Sequence, residues 1–257
     1  MKKTMDIENA RLYKYWGNDK EVRVPEGITS IEPKAFFKSP VEEVWLPDSL
    51  ISIHRDAFRY SKLRKVHFGN GLTGICENAF SNCDLKTAEL PDSICSVAIG
   101  AFTHTDEVRC SHFFNGADWM FYPSRIYMVE MPETYTAIIS IGTQSLRVPR
   151  DMEIQERDLE DMFRLEALSE ARQKVVKENR KKMYSFASTA TKDRLRTGVF
   201  FSAAEMAVLD NNIFAANVAQ SFKSVIEDGV KTERDKKALV SLQQKGIFEE
   251  DFLRARL

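Results

Sequence analysis

The sequence predicts an α+β protein: a right-handed solenoid of 22-residue repeats that runs into an α-helical C-terminal region. Phe36, Phe58, Phe80 and Phe102 stand 22 residues apart. Short apolar runs end at Pro25, Pro47 and Pro91 in the same register, and the periodicity turns helical from about Asp151.

The repeat is more than one column of rings. Ala35, Ala57, Ala79 and Ala101 share the step, as do Ile31, Ile53, Ile75 and Val97, and Ile28, Leu50, Leu72 and Ile94. Val24, Leu46, Phe68 and Leu90 form another column, and Val22, Val44, Val66 and Ala88 a further one. Each repeat reads as a short strand such as Val44-Trp45-Leu46, stopped by a proline whose missing N–H cannot continue a ladder. Gly69 takes the proline position once. A turn follows, then an apolar pair and Ala-Phe, where the small residue lets neighbouring coils approach and the ring fills the interior. One coil cannot bury these faces alone, whereas stacked coils can.

The run Val44-Trp45-Leu46-Pro47-Asp48-Ser49-Leu50-Ile51-Ser52-Ile53, followed by Ala57-Phe58, resembles the BspA-like class of bacterial leucine-rich repeats over residues 21–106. The resemblance implies a leucine-rich-repeat solenoid that binds rather than catalyses; known members are mostly binding proteins and often surface adhesins.

Four segments are expected: an N-terminal hairpin cap over 1–20, four regular repeats over 21–106, degenerate repeats over 107–150, and a helical domain over 151–257. Gly17-Asn18-Asp19, between Leu12–Trp16 and Glu21–Val24, is a hairpin signal, and a cap there would cover an open sheet edge. After Phe102 the columns fall on Gly116, Trp119, Pro123 and Ser124, so the register fails. A strand followed by proline returns at Val129–Pro132 and Leu146–Pro149, which reads as coils shortened by deletions.

In the last segment one long helix is expected over roughly Gln155 to Ser188, with Leu159, Met162, Phe163, Leu168, Ala171, Val175, Met183 and Phe186 on its apolar stripe. Acids dominate 151–170 and bases 171–196, which suits a helix macrodipole. The alternative is an anion or nucleic-acid patch of Lys174, Lys177, Arg180, Lys181, Lys182, Lys192, Arg194 and Arg196 within the basic 172–196 segment, but no aromatic interleaving accompanies it. Ser202 with Glu205 reads as a capping box, with Phe201 and Met206 as its staple. A third helix with Phe214, Val218, Phe222 and Val225 ends at Gly229, and a fourth runs from Thr232 and Asp235 to about Gly246.

Charge is balanced, 37 basic against 38 acidic residues, so no global field draws the chain to nucleic acid or membrane. Lys2 and Lys3 lead into Asp6, Glu8 and Arg11 rather than an apolar run. A cytoplasmic setting is therefore expected, or a surface or secreted one if the sequence has been trimmed. Cys76, Cys83, Cys95 and Cys110 share no column and are expected to be free thiols.

Gly69-Asn70-Gly71-Leu72-Thr73-Gly74 satisfies the dinucleotide fingerprint, but sister coils place Pro47–Ser52 and Pro91–Ser96 at the same positions with no following helix, so it reads as a repeat turn. His104, Cys110 and His112 match no zinc spacing; Cys110 and His112 are placed on the next strand with inward parity. No metal, cofactor or catalytic set is expected, and the chain reads as a non-enzyme.

Alternation along the strands leaves two outward ladders: Glu21, Glu43, Lys65, Thr87, Arg109, and Arg23, Trp45, His67, Glu89, Ser111. Arg23, Glu43, Trp45, Lys65, His67, Glu89 and Arg109 are the candidate binding residues, with Trp45 as an exposed anchor for a protein or peptide. Two alternatives stand beside this: Trp45 covered by the chain itself, and an assembly subunit self-associating as a homo-oligomer through its helical half.

Overall fold

A computed structural model describes residues 4–117, 120–121, 134–150, 156–176, 201–206 and 233–244. The chain divides into two compact units, Met1–Pro132 with Ile138–Leu146, and Glu133–Ala137 with Arg147–Leu257.

Each coil of the first unit supplies two short strands to two different sheets. Strands β3 (Glu21–Arg23), β5 (Glu43–Trp45) and β7 (Lys65–His67) form a three-stranded parallel sheet. Strands β4 (Ser30–Ile31), β6 (Ser52–Ile53), β8 (Gly74–Ile75) and β10 (Ser96–Val97) continue a six-stranded sheet that begins with β1 (Met5–Glu8) and β2 (Arg11–Tyr15). The partners are the sequence columns themselves, Val22 with Val44 and Val66, and Ile31 with Ile53, Ile75 and Val97. A constant 22-residue step pairs each column with itself along the parallel ladder.

The ring column is a continuous buried stack. Phe36 and Phe58 lie 4.7 Å apart, Phe58 and Phe80 5.1 Å, and Phe80 and Phe102 5.3 Å, with interplanar angles of 8°, 7° and 3°. All four side chains are fully buried. Tyr15 extends the stack onto the cap, 5.1 Å from Phe36, and its N–H donates to Ala35 O just as Phe36 N–H donates to Ala57 O.

The turns flanking the rings hold a device with no obvious sequence mark: left-handed residues repeat with the coil. Lys34, Asp56 and Asn78 have φ of 63°, 57° and 56°, and Gly100 of 71°. Lys38, Tyr60 and Asn82 form a second column at 57°, 60° and 57°. Asp56, Asn78, Asn82 and Gly100 suit that conformation, whereas Lys34, Lys38 and Tyr60 do not, so at these three the wrap is enforced by the stacked coils rather than by local preference.

Two expectations about the ends need correction, the turn of the hairpin and Leu146–Pro149. The N-terminal hairpin is β1 with β2, turning at Asn9 and Ala10, whose φ values are 49° and 62°. Gly17-Asn18-Asp19 instead carries the chain from one sheet to the other, and the Tyr15 hydroxyl ties it down by donating to Asp19 Oδ2 at 2.9 Å. The coil after Phe102 is shortened but intact in its hydrogen bonding. Strand β9 (Thr87–Glu89) pairs with β11 (Glu107–Cys110), Thr87 opposite Glu107, and Phe102 N–H donates to Met120 O. Buried Phe121 thereby takes the ring position, 19 residues after Phe102 instead of 22. Finally, Leu146–Pro149 is no coil. It belongs to β13 (Gln144–Pro149), which follows β12 (Thr136–Ile141) through the two-residue turn Gly142-Thr143 and forms the outer strand of the four-stranded sheet β13-β12-β11-β9. Val129–Pro132 lies outside the described residues.

In the second unit the long helix is broken. Helix α1 spans Glu156–Phe163, a 3-10 turn covers Leu165–Ala167, and Leu168 is extended at φ −83°, ψ 154°. Helix resumes over 170–176, where Ser169 Oγ accepts the Arg172 N–H at 3.4 Å. The break shifts the phase of the stripe, so Val176 is buried and Val175 exposed. The capping-box reading also fails: Phe201 is already helical, and the Ser202 and Glu205 side chains bond Tyr135 and Thr136 instead. Helix α2 is Glu233–Gln244. Met183, Phe186, the helix ending at Gly229, Thr232 and Gly246 lie outside the described residues.

Candidate binding face

The outer face of β3-β5-β7 brings five of the candidate residues together. In a parallel ladder without stagger, equivalent side chains sit about one strand spacing apart, ~4.8 Å. Planar groups in one column therefore stack. The Arg23 guanidinium lies 4.0 Å from the Trp45 ring centroid, and the His67 ring lies 4.8 Å away on the next strand, tilted by 4°. Trp45 is thus half-buried between two neighbours of its own column, not the freestanding anchor that alternation suggests. Its ring is flanked by the Arg23 guanidinium and the His67 ring.

Beside the stack, Glu43 Oε1 accepts from His67 Nε2 at 2.7 Å and lies 3.1 Å from Lys65 Nζ. Those two contacts, His67 first, hold the Glu43 carboxyl below the usual carboxylate range. Arg23 is treated differently. Of the arginines within 4–117, Arg11, Arg55, Arg59, Arg64 and Arg109 each reach a carboxylate. Arg23 forms no ion pair among the described residues, so its N–H fork is held flat against Trp45 and open to solvent.

Glu89 and Arg109 do not join this face. They sit on the four-stranded sheet, and because the fifth coil is short Arg109 stands opposite Glu89 rather than Thr87. Arg109 is 3.4 Å from Glu89 and 3.0 Å from Glu107, and Glu107 also accepts from Ser140 Oγ at 2.6 Å. The hydrogen bonds with Arg109, then Ser140, lower the Glu107 carboxyl, and Glu107 in turn raises the Arg109 guanidinium. β7 and β9 are not laddered to each other, and the inward residues Val66 and Phe68 are only half-buried where their counterparts Val44 and Leu46 are buried.

The other sequence candidates resolve simply. A Cβ on Gly69 would lie 2.0 Å from Pro47 O, and one on Gly71 2.1 Å from Asp48 O, so these glycines admit the backbone of the preceding coil, and strand β8 follows them. His104 Nδ1 accepts from Asn82 N–H at 3.0 Å. Cys110 ends β11 facing inward, but His112 lies beyond the strand, exposed, bonded to Ile94 O and Ser111 Oγ at 3.0 Å. No cluster of three metal-ligating side chains occurs among the described residues. All four cysteines are free thiols; burial pushes Cys83 up to about 12 and Cys110 up to about 11. Of the basic 172–196 segment, Arg172 binds Asp161, and the residues from Lys177 onward lie outside the described residues. No described helix is long and apolar enough to cross a membrane.

The 22-residue coils with their ring stack are matched by a family model. Residues 10–109 fit the BspA type leucine rich repeat region in six copies. Among solved structures, a leucine-rich repeat protein from Bacteroides capillosus is 28% identical over 40% of this chain and 86% of its own, with a TM-score of 0.35. A T. pallidum leucine-rich repeat protein is 24% identical over 38% of this chain and 62% of its own, TM-score 0.32. The pneumococcal vaccine antigen PcpA is 23% identical over 42% of this chain, TM-score 0.37, and only 28% of its own length is spanned. No curated protein matches the chain. The match begins at residue 10, earlier than the four regular repeats, because β2 and Tyr15 already occupy repeat positions: residues 10–109 form a repeat region of the BspA leucine-rich-repeat type.

Proposed function

We propose that the chain is a non-enzymatic binding or scaffolding protein whose partner, a protein or peptide, docks on the outer face of β3-β5-β7. Repeats of this family serve protein binding in general. The observation that carries the reading is Arg23, an arginine oriented by stacking on Trp45 yet left without a carboxylate. A pre-ordered guanidinium loses little conformational freedom on binding and presents two parallel donors, so it favours a carboxylate brought by the partner.

Photo-crosslinking groups placed at residues 21 and 65, on either side of the stack, should capture the same partner from the native host. Arg23→Glu should then weaken that partner at least ~10-fold while leaving the unfolding midpoint nearly unchanged, as expected for a charge whose burial the fold does not need. Capture that is indifferent to Arg23→Glu would sink this reading.

A further inference from the structure

A second surface of the first unit, independent of the sheet face, carries charge the fold leaves uncompensated. It is the ridge made by the turns just after the ring column, at the N-terminal end of the solenoid. Trp16 follows Tyr15 there and is 67% exposed. Lys14 Nζ lies 5.7 Å from the Trp16 ring and donates to Lys34 O at 3.1 Å, which joins the cap to the first coil. Lys34 and Lys38 reach within 5.9 and 5.5 Å of the Phe37 ring, Lys38 is also 5.9 Å from Tyr60, and Phe37 meets Tyr60 edge to face.

Asp6 stands opposite Lys14 in the β1–β2 pair and has an interaction of its own, and the other nearby carboxylates are engaged elsewhere. Glu32 pairs with Arg11, Asp56 with Arg55 and Arg59, and Glu77 with Arg55. Asp19 accepts the Tyr15 hydroxyl. Among the described residues Lys14, Lys34 and Lys38 form no ion pair. A second observation singles out two of them: Lys34 and Lys38 occupy the left-handed turn positions. Later coils fill the same places with Asp56, Asn78 and Gly100, and with Tyr60 and Asn82, types that include the ones left-handed backbone suits best. Only the first coil holds lysine at both, and strain kept at two exposed cations points to a function.

We propose that this ridge binds an acidic, Asp/Glu-bearing segment of a partner protein, with Trp16 supplying the apolar contact. Three uncompensated lysines select an anion. Lysines already lie over Phe37 and Tyr60, which leaves Trp16 as the one exposed ring, too few for the successive stacking that a single-stranded nucleic acid uses. One exposed tryptophan with three lysines gives a lipid surface only a weak hold. The ridge spans two to three coils, roughly 10–15 Å at the strand spacing, which matches three or four residues of extended chain.

The test titrates the full chain with a fluorescent Asp/Glu-rich peptide, a Lys-rich peptide, phosphatidylcholine vesicles containing phosphatidylserine, and a single-stranded oligonucleotide. The acidic peptide should bind, salt should weaken it, and Lys34→Glu with Lys38→Glu should lower its affinity at least ~10-fold. The pair Lys34→Gly and Lys38→Gly separates strain from binding: it should raise the thermal midpoint and still weaken the peptide. If Arg23→Glu abolishes binding while Lys34→Glu with Lys38→Glu does not, the sheet face holds the acidic segment and the ridge does not. Vesicles or oligonucleotide binding in place of the peptide, no binding at all, or a glycine pair that binds like the wild type would each overturn the proposal.

Discussion

Phe80 in the first unit and Tyr135 in the second are both buried aromatic side chains stacked on another ring, yet they are held by opposite means. Phe80 lies between Phe58 and Phe102, with Phe68 edge-on at 5.7 Å. Everything around it is apolar and repeats. Tyr135 stacks on Phe201 at 4.6 Å, but its hydroxyl donates to Asp235 Oδ1 at 2.5 Å, its N–H to Glu205 at 3.1 Å, and its carbonyl accepts from Ser202 Oγ at 3.1 Å and from Arg150 N–H at 3.0 Å. Around it lie Arg150, fully buried and donating to Thr136 O at 3.0 Å, and Thr136, whose hydroxyl donates to Glu205 at 2.6 Å. One region is specified by the same contact made many times, the other by different contacts made once each.

The contrast predicts different losses. Phe80→Ala removes a ring with coils on both sides and leaves a cavity that stacked backbones cannot close, so about 3–5 kcal/mol of stability should go. All three tryptophans belong to the first unit, so chemical unfolding followed by tryptophan fluorescence reads this change. A near-neutral midpoint would break the equivalence of the coils on which the ring stack rests.

Tyr135→Phe keeps the stack on Phe201 and deletes only the hydroxyl. Asp235 then loses a donor while remaining buried, which should cost about 1–3 kcal/mol. Unfolding followed by helical ellipticity measures it. An unchanged midpoint would place the burden of this cluster on Glu205 and Ser202, and would make the second region's aromatic contact resemble the first's.

The same contrast explains what the sequence disclosed. A residue that recurs at 22 reports its environment through its copies, so the Phe80 column, the Val44 strand column and the outward placement of Arg23, Trp45 and His67 could all be read off. Their stacking was not read, although equal coils put equivalent residues one strand spacing apart, because alternation alone treats Trp45 as an exposed ring. Arg109 was misplaced on its ladder because two residues are missing before Glu107, and a missing residue leaves no mark except a broken column. The left-handed turns were hidden because Lys34, Asp56, Tyr60 and Asn78 share a backbone conformation and no chemistry. Ser202 and Glu205 have capping-box spacing, and nothing local says that their partner is Tyr135, far off along the chain. Leu168, which breaks the long helix, is a good helix former, so the break comes from tertiary packing and not from propensity.

The smallest effect expected is at Glu43, and its pH dependence tells whether the sheet face is held by charge or only by shape. Glu43 is exposed enough that its contacts with His67 and Lys65 are screened by solvent, so Glu43→Gln should shift the midpoint only slightly near neutrality. Its carboxyl is depressed in the folded chain relative to the ordinary value of 4.5. For a depressed carboxyl the folded state binds its proton less readily than the unfolded state. Its contribution is therefore complete above the ordinary value and is lost as the pH falls through the lowered one. Wild type and Glu43→Gln should accordingly differ near pH 7 and converge in acid, where the wild-type side chain is neutral too. Thermal midpoints of the two proteins, collected from neutral pH downward, test this directly. A difference that persists after Glu43 is protonated would mean that the carboxylate acts through packing against Trp45 and His67. The face would then resemble the ring stack, a repeated contact of shape, and Arg23 would be the one group on it whose charge the fold leaves for another molecule to meet.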